Sequence, residues 1–168
     1  MRVFALFLVA ALCLAAAAEV PQMTLTSPSF TNGGKIPKTY SCDGGDRSPA
    51  FAWSNVPEGS RTLLLICDDP DAPGGKWVHW LFMDIPATEK GIEENGTFAR
   101  STLGRNSWGK SVYNGPCPPP GKTHRYVFTL YALDTWLAMP RTSTKDEVEA
   151  HIQGHILGKA QLMGTYRR

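Results

Sequence analysis

From residue 24 to residue 133 the apolar positions fall in short runs or alternate with polar ones, and no helical period appears before residue 140. Thr62 to Cys67 is apolar almost without a break, the pattern of a strand buried on both faces, and Trp77 to Ile85 is a second such run. Arg125 to Leu133 mixes aromatic, β-branched and aliphatic residues, which is again strand chemistry. Shorter strand candidates are Met23 to Thr26, Ala50 to Ser54 and Gln161 to Tyr166. Turn residues separate them, among them Asn32-Gly33-Gly34, Asp43-Gly44-Gly45, Pro57-Glu58-Gly59 and Asn114-Gly115. An α/β doubly wound fold would need helices between these strands, and none is patterned there.

One helix is predicted, beginning near Ser143. Ser143-Thr144-Lys145-Asp146 and Thr144-Lys145-Asp146-Glu147 both fit a capping box, and Val148, Ile152, Ile156 and Leu157 follow at helical spacing to a stop at Gly158. Residues 86–121 are rich in Gly and Pro and poor in apolar side chains. A compact domain seldom keeps so long a loop without a use, so this stretch is read as the wall of a ligand site.

The first eighteen residues change the picture of where the chain works. Arg2, an apolar run from Val3 to Leu14 and the small residues Ala15 to Ala18 predict a signal peptide cut after Ala18, the run being too short for a membrane span. Residues 19–168 then form one exported domain, periplasmic or extracellular. Loss of Arg2 takes the net charge from +2 to +1, which gives no electrostatic case for nucleic acid or for anionic membranes in general. Three cysteines remain after the leader. Cys42 and Cys117 both lie in Gly- and Pro-rich loops and are the natural disulfide pair, while Cys67 ends an apolar run and reads as a buried small hydrophobe. No cysteine or histidine spacing marks a zinc site.

Candidate chemistry is concentrated in two proline-stiffened segments, Asp69-Pro70-Asp71-Ala72-Pro73 leading to Trp77-Val78-His79-Trp80, and Pro118-Pro119-Pro120-Gly121-Lys122-Thr123-His124-Arg125-Tyr126. Proline fixes φ and removes a backbone donor, so both read as rigid loops that deliver strands. Trp77 and His79 are two apart, as are His124 and Tyr126, so each pair shares a face of extended chain. Taken alone, Asp69 is equally well an Asx-type cap of its proline loop, and His79 a hydrogen-bonded core histidine. His151 and His155 sit four apart on the predicted helix but lack the Glu of a zinc-protease motif and any third ligand, so a packing or surface role is the simpler reading. Asn95-Gly96-Thr97 is a glycosylation sequon, relevant only in a eukaryote.

These two segments, in this order and spacing, resemble the phosphatidylethanolamine-binding protein family, also described as Raf kinase inhibitor-like proteins, and its bacterial and archaeal branch in particular. The resemblance runs from Ser48-Pro49-Ala50-Phe51-Ala52-Trp53 to Leu162-Met163-Gly164-Thr165-Tyr166. It implies a mainly β fold, an antiparallel Greek-key sandwich with a C-terminal helix. It also implies a small anion pocket for phosphoryl or phospholipid headgroups, with Asp69, His79, Pro119, His124 and Tyr126 as ligand residues and Trp77 as an apolar side wall. Asp71 is assigned to holding the loop through an ion pair with Arg125. No cofactor or metal is expected. An enzyme acting on phosphoesters is disfavoured because the chain has no nucleophile elbow, phosphate-cradling loop or metal cluster. An exported inhibitor or regulator of a protease or kinase-type partner is the other alternative, and nothing in the sequence names its target.

Overall fold

A computed structural model describes residues 22–168; the predicted signal peptide, residues 1–18, lies outside them. Eight strands form two antiparallel sheets. The smaller joins β1 (Thr24–Thr26), β2 (Phe51–Ser54) and β5 (Gly91–Ile92) in the order β1-β2-β5. The larger joins β6 (Thr102–Leu103), β4 (Trp77–Pro86), β3 (Thr62–Asp69), β7 (Thr123–Leu133) and β8 (Ile156–Arg167) in the order β6-β4-β3-β7-β8. Between β4 and β7 the chain visits the smaller sheet as β5 and the edge of the larger as β6 before it returns beside β3.

The uninterrupted apolar run of β3 is explained by two cores. Leu63, Leu65 and Cys67 face the smaller sheet and pack with Phe51, Trp53, Trp80, Phe82 and Phe128. Leu64 and Ile66 face the other way, where Leu81, Met83, Leu133, Val148 and Ile152 cover them. The strand therefore contributes to both layers, and burial of each leucine side chain is worth roughly 2 kcal/mol.

The helix is shorter than its pattern. It spans Lys145–His151 as α1, and its cap is Thr144, not Ser143: the Glu147 carboxylate accepts from the Thr144 amide at 2.7 Å while Thr144 Oγ1 accepts from the Glu147 amide. Val148 and Ile152 keep their predicted inward positions, but Gly154 at φ +81° ends the helical path. Ile156 and Leu157 continue the apolar spacing only by coincidence; they start β8 and are 43% and 41% exposed.

Candidate functional site

A β-bulge in β4 sets the position of the first imidazole. Cys67 pairs with Trp80 and Asp68 with Val78, so His79 has no residue opposite it. The extra residue redirects the chain locally. Both His79 and Trp80 turn to the inner face, Trp80 into the core and His79 against Tyr126, where strict alternation would have separated them. His79 is 2% exposed, and its Nδ1 donates to the carbonyls of Asn114 at 2.7 Å and Gly115 at 3.1 Å. Carbonyls only accept, so Nδ1 carries the hydrogen. Nε2 has no partner among the described residues. Burial pushes the His79 pKa below its usual 6.5, against the opposing pull of the Asn114 carbonyl and the Asp69 carboxylate.

The second imidazole enters from β7. His124 Nδ1 donates to Asp69 Oδ2 at 2.7 Å, in a pair whose side chains are 8% and 5% exposed. The other oxygen, Asp69 Oδ1, accepts from the Asp71 amide at 2.8 Å. Asp69 is thus both the Asx cap of its turn and the orienter of His124. On the opposite side of the turn Asp71 takes Arg125 in a fork, with Nε at 2.9 Å and the terminal nitrogen at 2.7 Å, and accepts the Arg125 amide as well. The Arg125 hydrogen bonds hold the Asp71 carboxyl down at about 2.

His79, His124 and Asp69 form the floor of a cavity of about 300 Å³ whose sides are Trp77, Trp108, Cys117 and Pro119. The disulfide between Cys42 and Cys117 fixes one side; Cys67 is free and buried. Tyr126, expected among the ligand donors, stands behind the lining residues, beside Asp69 and Cys117. Two residues further along β7 means roughly 6–7 Å deeper into the sandwich. Its ring stands edge-on to His79 at 5.1 Å, and its buried hydroxyl has no hydrogen-bond partner among the described residues. Burial, then the Asp69 charge, holds the phenol well above its ordinary pKa, so it stays protonated. A larger cavity of about 550 Å³ lies at the β8 edge beside Lys35 and Arg167, but it shares no residue with the imidazole site.

Within the wall of residues 86–121 the sequence pointed to Pro119 but not to Trp108 or Asn106. Trp108 packs edge-to-face on Trp77 at 5.3 Å and on His79 at 4.9 Å. Asn106, 4% exposed, organises the loop: its amide donates to the Val112 carbonyl and Asn114 Oδ1, and its carbonyl accepts from the Trp108 and Lys110 amides. Asp46 receives the Gly115 amide at 2.7 Å. Gly115 must be glycine, since a Cβ would lie 2.0 Å from the Tyr40 carbonyl oxygen. The available signal was the turn chemistry of Asn106-Ser107-Trp108-Gly109 and Asn114-Gly115. His155 pairs with Asp134 at 2.7 Å on the surface, and His151 ends α1 in the open.

Compared with known proteins, residues 26–167 match the family model described as Phosphatidylethanolamine-binding protein. The chain belongs to this family. Among curated relatives, a UPF0098 protein of Methanothermobacter thermautotrophicus is 46% identical over 151 residues, covering 87% of this chain and 99% of the relative. A UPF0098 protein of Aquifex aeolicus is 41% identical over 152 residues, covering 87% and 89%. Two crystal structures share the fold at TM-score 0.83. A phosphatidylethanolamine-binding protein homologue from Chlamydia trachomatis is 38% identical, with 88% of this chain and 98% of that one covered. YbcL of E. coli, described as a new member of the mammalian family, is 29% identical, with 88% and 99% covered. Family membership makes the chain a binding protein in general terms. Among the described residues no helix is long and apolar enough to cross a membrane, and the Cys42–Cys117 bridge is compatible with an exported protein.

Proposed function

We propose that the protein binds a small phosphoryl group, free or as the headgroup of a larger molecule, and releases it unchanged. The observation that carries this reading is the pair of imidazoles: each is fixed through Nδ1, and neither Nε2 has a partner among the described residues. Fixed rings that can take up protons suit oxygen-rich anions, because hydrogen bonds to charged groups are about twice as strong as neutral ones. Two or three such bonds, at about 1.5–3 kcal/mol each, must offset the cost of association, so a bare anion binds on the order of millimolar. Trp108, 40% exposed at the rim, and Trp77 supply apolar contact for whatever carries the phosphoryl group. The chain is read as exported through its leader, and its function as binding without turnover, since the cavity brings acid–base groups together with no serine, threonine or free cysteine among its lining residues.

A titration followed by NMR tests the reading. Phosphoethanolamine is expected to shift the ring signals of His79 and His124 together, to bind more tightly as pH falls, and to bind at least several-fold more weakly to His124→Ala. Shifts centred on His151 and His155, with His79 and His124 silent, contradict it. So does robust hydrolysis of a phosphoester that His124→Ala abolishes.

A further inference from the structure

The two imidazoles differ in what stands behind them. A proton added to His124 meets the Asp69 carboxylate at 2.7 Å from Nδ1. A proton added to His79 meets two neutral carbonyls, those of Asn114 and Gly115. The charged or titratable groups around His79 are Asp69 and Asp68 from β3, His124 and Tyr126 from β7 and, behind the Asn114–Gly115 peptide, Asp46. Trp108, which covers the remaining side, carries no charge. Burial outweighs the attraction of the carboxylates and keeps the His79 ring neutral near pH 7. With Nδ1–H committed to the carbonyls, a neutral His79 presents the lone pair of Nε2 to the cavity. In its doubly protonated form His124 keeps one N–H on the Asp69 carboxylate and turns the other, on Nε2, to the cavity as a donor.

We propose that this donor-and-acceptor floor selects a phosphate that keeps one acidic hydrogen, a phosphomonoester in preference to a phosphodiester. The inference rests on the binding reading above and narrows its ligand. A monoprotonated monoester has an unprotonated oxygen for His124 and a P–OH for His79. A diester or a sulfate has oxygens only, and one of them must face the His79 lone pair or force a proton onto a buried ring. An unmatched buried polar contact of this kind lowers affinity by about tenfold. Because the second ionisation of a phosphomonoester lies near pH 6, binding of the dianion at higher pH takes up a proton from solvent.

The experiment uses three probes of similar size, methyl phosphate, dimethyl phosphate and inorganic sulfate, titrated at pH 6 into the chain lacking its leader. Imidazole nitrogen NMR follows both rings, and calorimetry in two buffers of different ionisation enthalpy counts protons. The expected result is a dissociation constant about tenfold lower for methyl phosphate than for the other two. His79 Nε2 stays unprotonated in that complex, and proton uptake per complex rises as pH is raised to 8. Equal affinity for dimethyl phosphate, or methyl phosphate binding with a protonated His79 Nε2, overturns the inference and leaves the binding reading standing. Failure of all three probes to perturb either ring overturns the binding reading and this one with it.

Discussion

Asp69 and Asp71 leave one turn toward opposite faces of the larger sheet. Asp69 points inward, is 3% exposed, and divides its two oxygens between a backbone amide and an imidazole. Asp71 points outward and holds Arg125, with side chains 29% and 56% exposed. The chemistry of the residue is the same; the surroundings are not. On the outer face water screens the pair and replaces it when it is broken, so even a close, two-pronged contact contributes less than the same contact would in the interior. On the inner face no water replaces a missing partner, so each polar contact is costly to lose and can also fix the orientation of a ring.

The largest expected effect is on the inner wall as a whole. Replacing Cys42 and Cys117 by serine opens a loop of 75 residues in sequence separation, and the chain-entropy relation puts the loss at roughly 4–5 kcal/mol. Urea denaturation measures it, and thiol counting on the unreduced chain lacking residues 1–18 is expected to find one free cysteine, Cys67. Next comes Asp69→Ala, which strands the buried His124 and uncaps the turn; a loss of about 3 kcal/mol is expected, with phosphoethanolamine binding abolished. If Asp71→Ala costs as much, the contrast between the two faces is wrong.

A pH series is the third measure. The His79 pKa is lower in the folded chain than its usual 6.5, so the unfolded chain binds more protons between the two values and stability falls as pH drops below about 6.5. Saturating phosphoethanolamine is expected to leave that window in place, because a ligand that donates to Nε2 keeps His79 neutral. Asp71 has the opposite kind of shift for an acid: its folded value of about 2 lies below its usual 3.8, so its contribution is present above 3.8 and disappears between the two. Thermal scans with His79→Asn as control separate the two windows. Trp108→Ala comes fourth, leaving stability within about 0.5 kcal/mol while weakening ligands that extend past the rim by several-fold in calorimetry. Arg125→Ala is last, with a small fall in Tm and unchanged phosphoethanolamine binding.

The sequence carried the inner face further than its strand pattern alone suggests. Two-residue spacing correctly put Trp77 with His79, and the continuous run of β3 correctly implied burial on both faces. What it did not contain was depth: His124 and Tyr126 do share a face, yet His124 lines the cavity while Tyr126 stands one step behind it, beside Asp69 and Cys117. The bulge at His79 was also hidden, because alternation around one inserted residue is indistinguishable from an unbroken run when both neighbours, Val78 and Trp80, are apolar. Helical spacing misled at Ile156 because a period of four satisfies strand and helix alike once Gly154 has intervened. Trp108 and Asn106 escaped because their roles come from loop geometry, which has no period to read.

Asn106 has a consequence for how variation in this chain is interpreted. Its side chain has two donor hydrogens and two acceptor lone pairs, and all four are used on the loop that carries Trp108 and Asn114. Aspartate brings no donors and glutamine moves both groups one methylene outward, so neither near-isostere reproduces the set. A saturation scan would therefore score position 106 as intolerant as any ligand residue, although it lies outside the cavity lining, and selection for binding would enrich compensations in residues 106–115 rather than in the imidazoles.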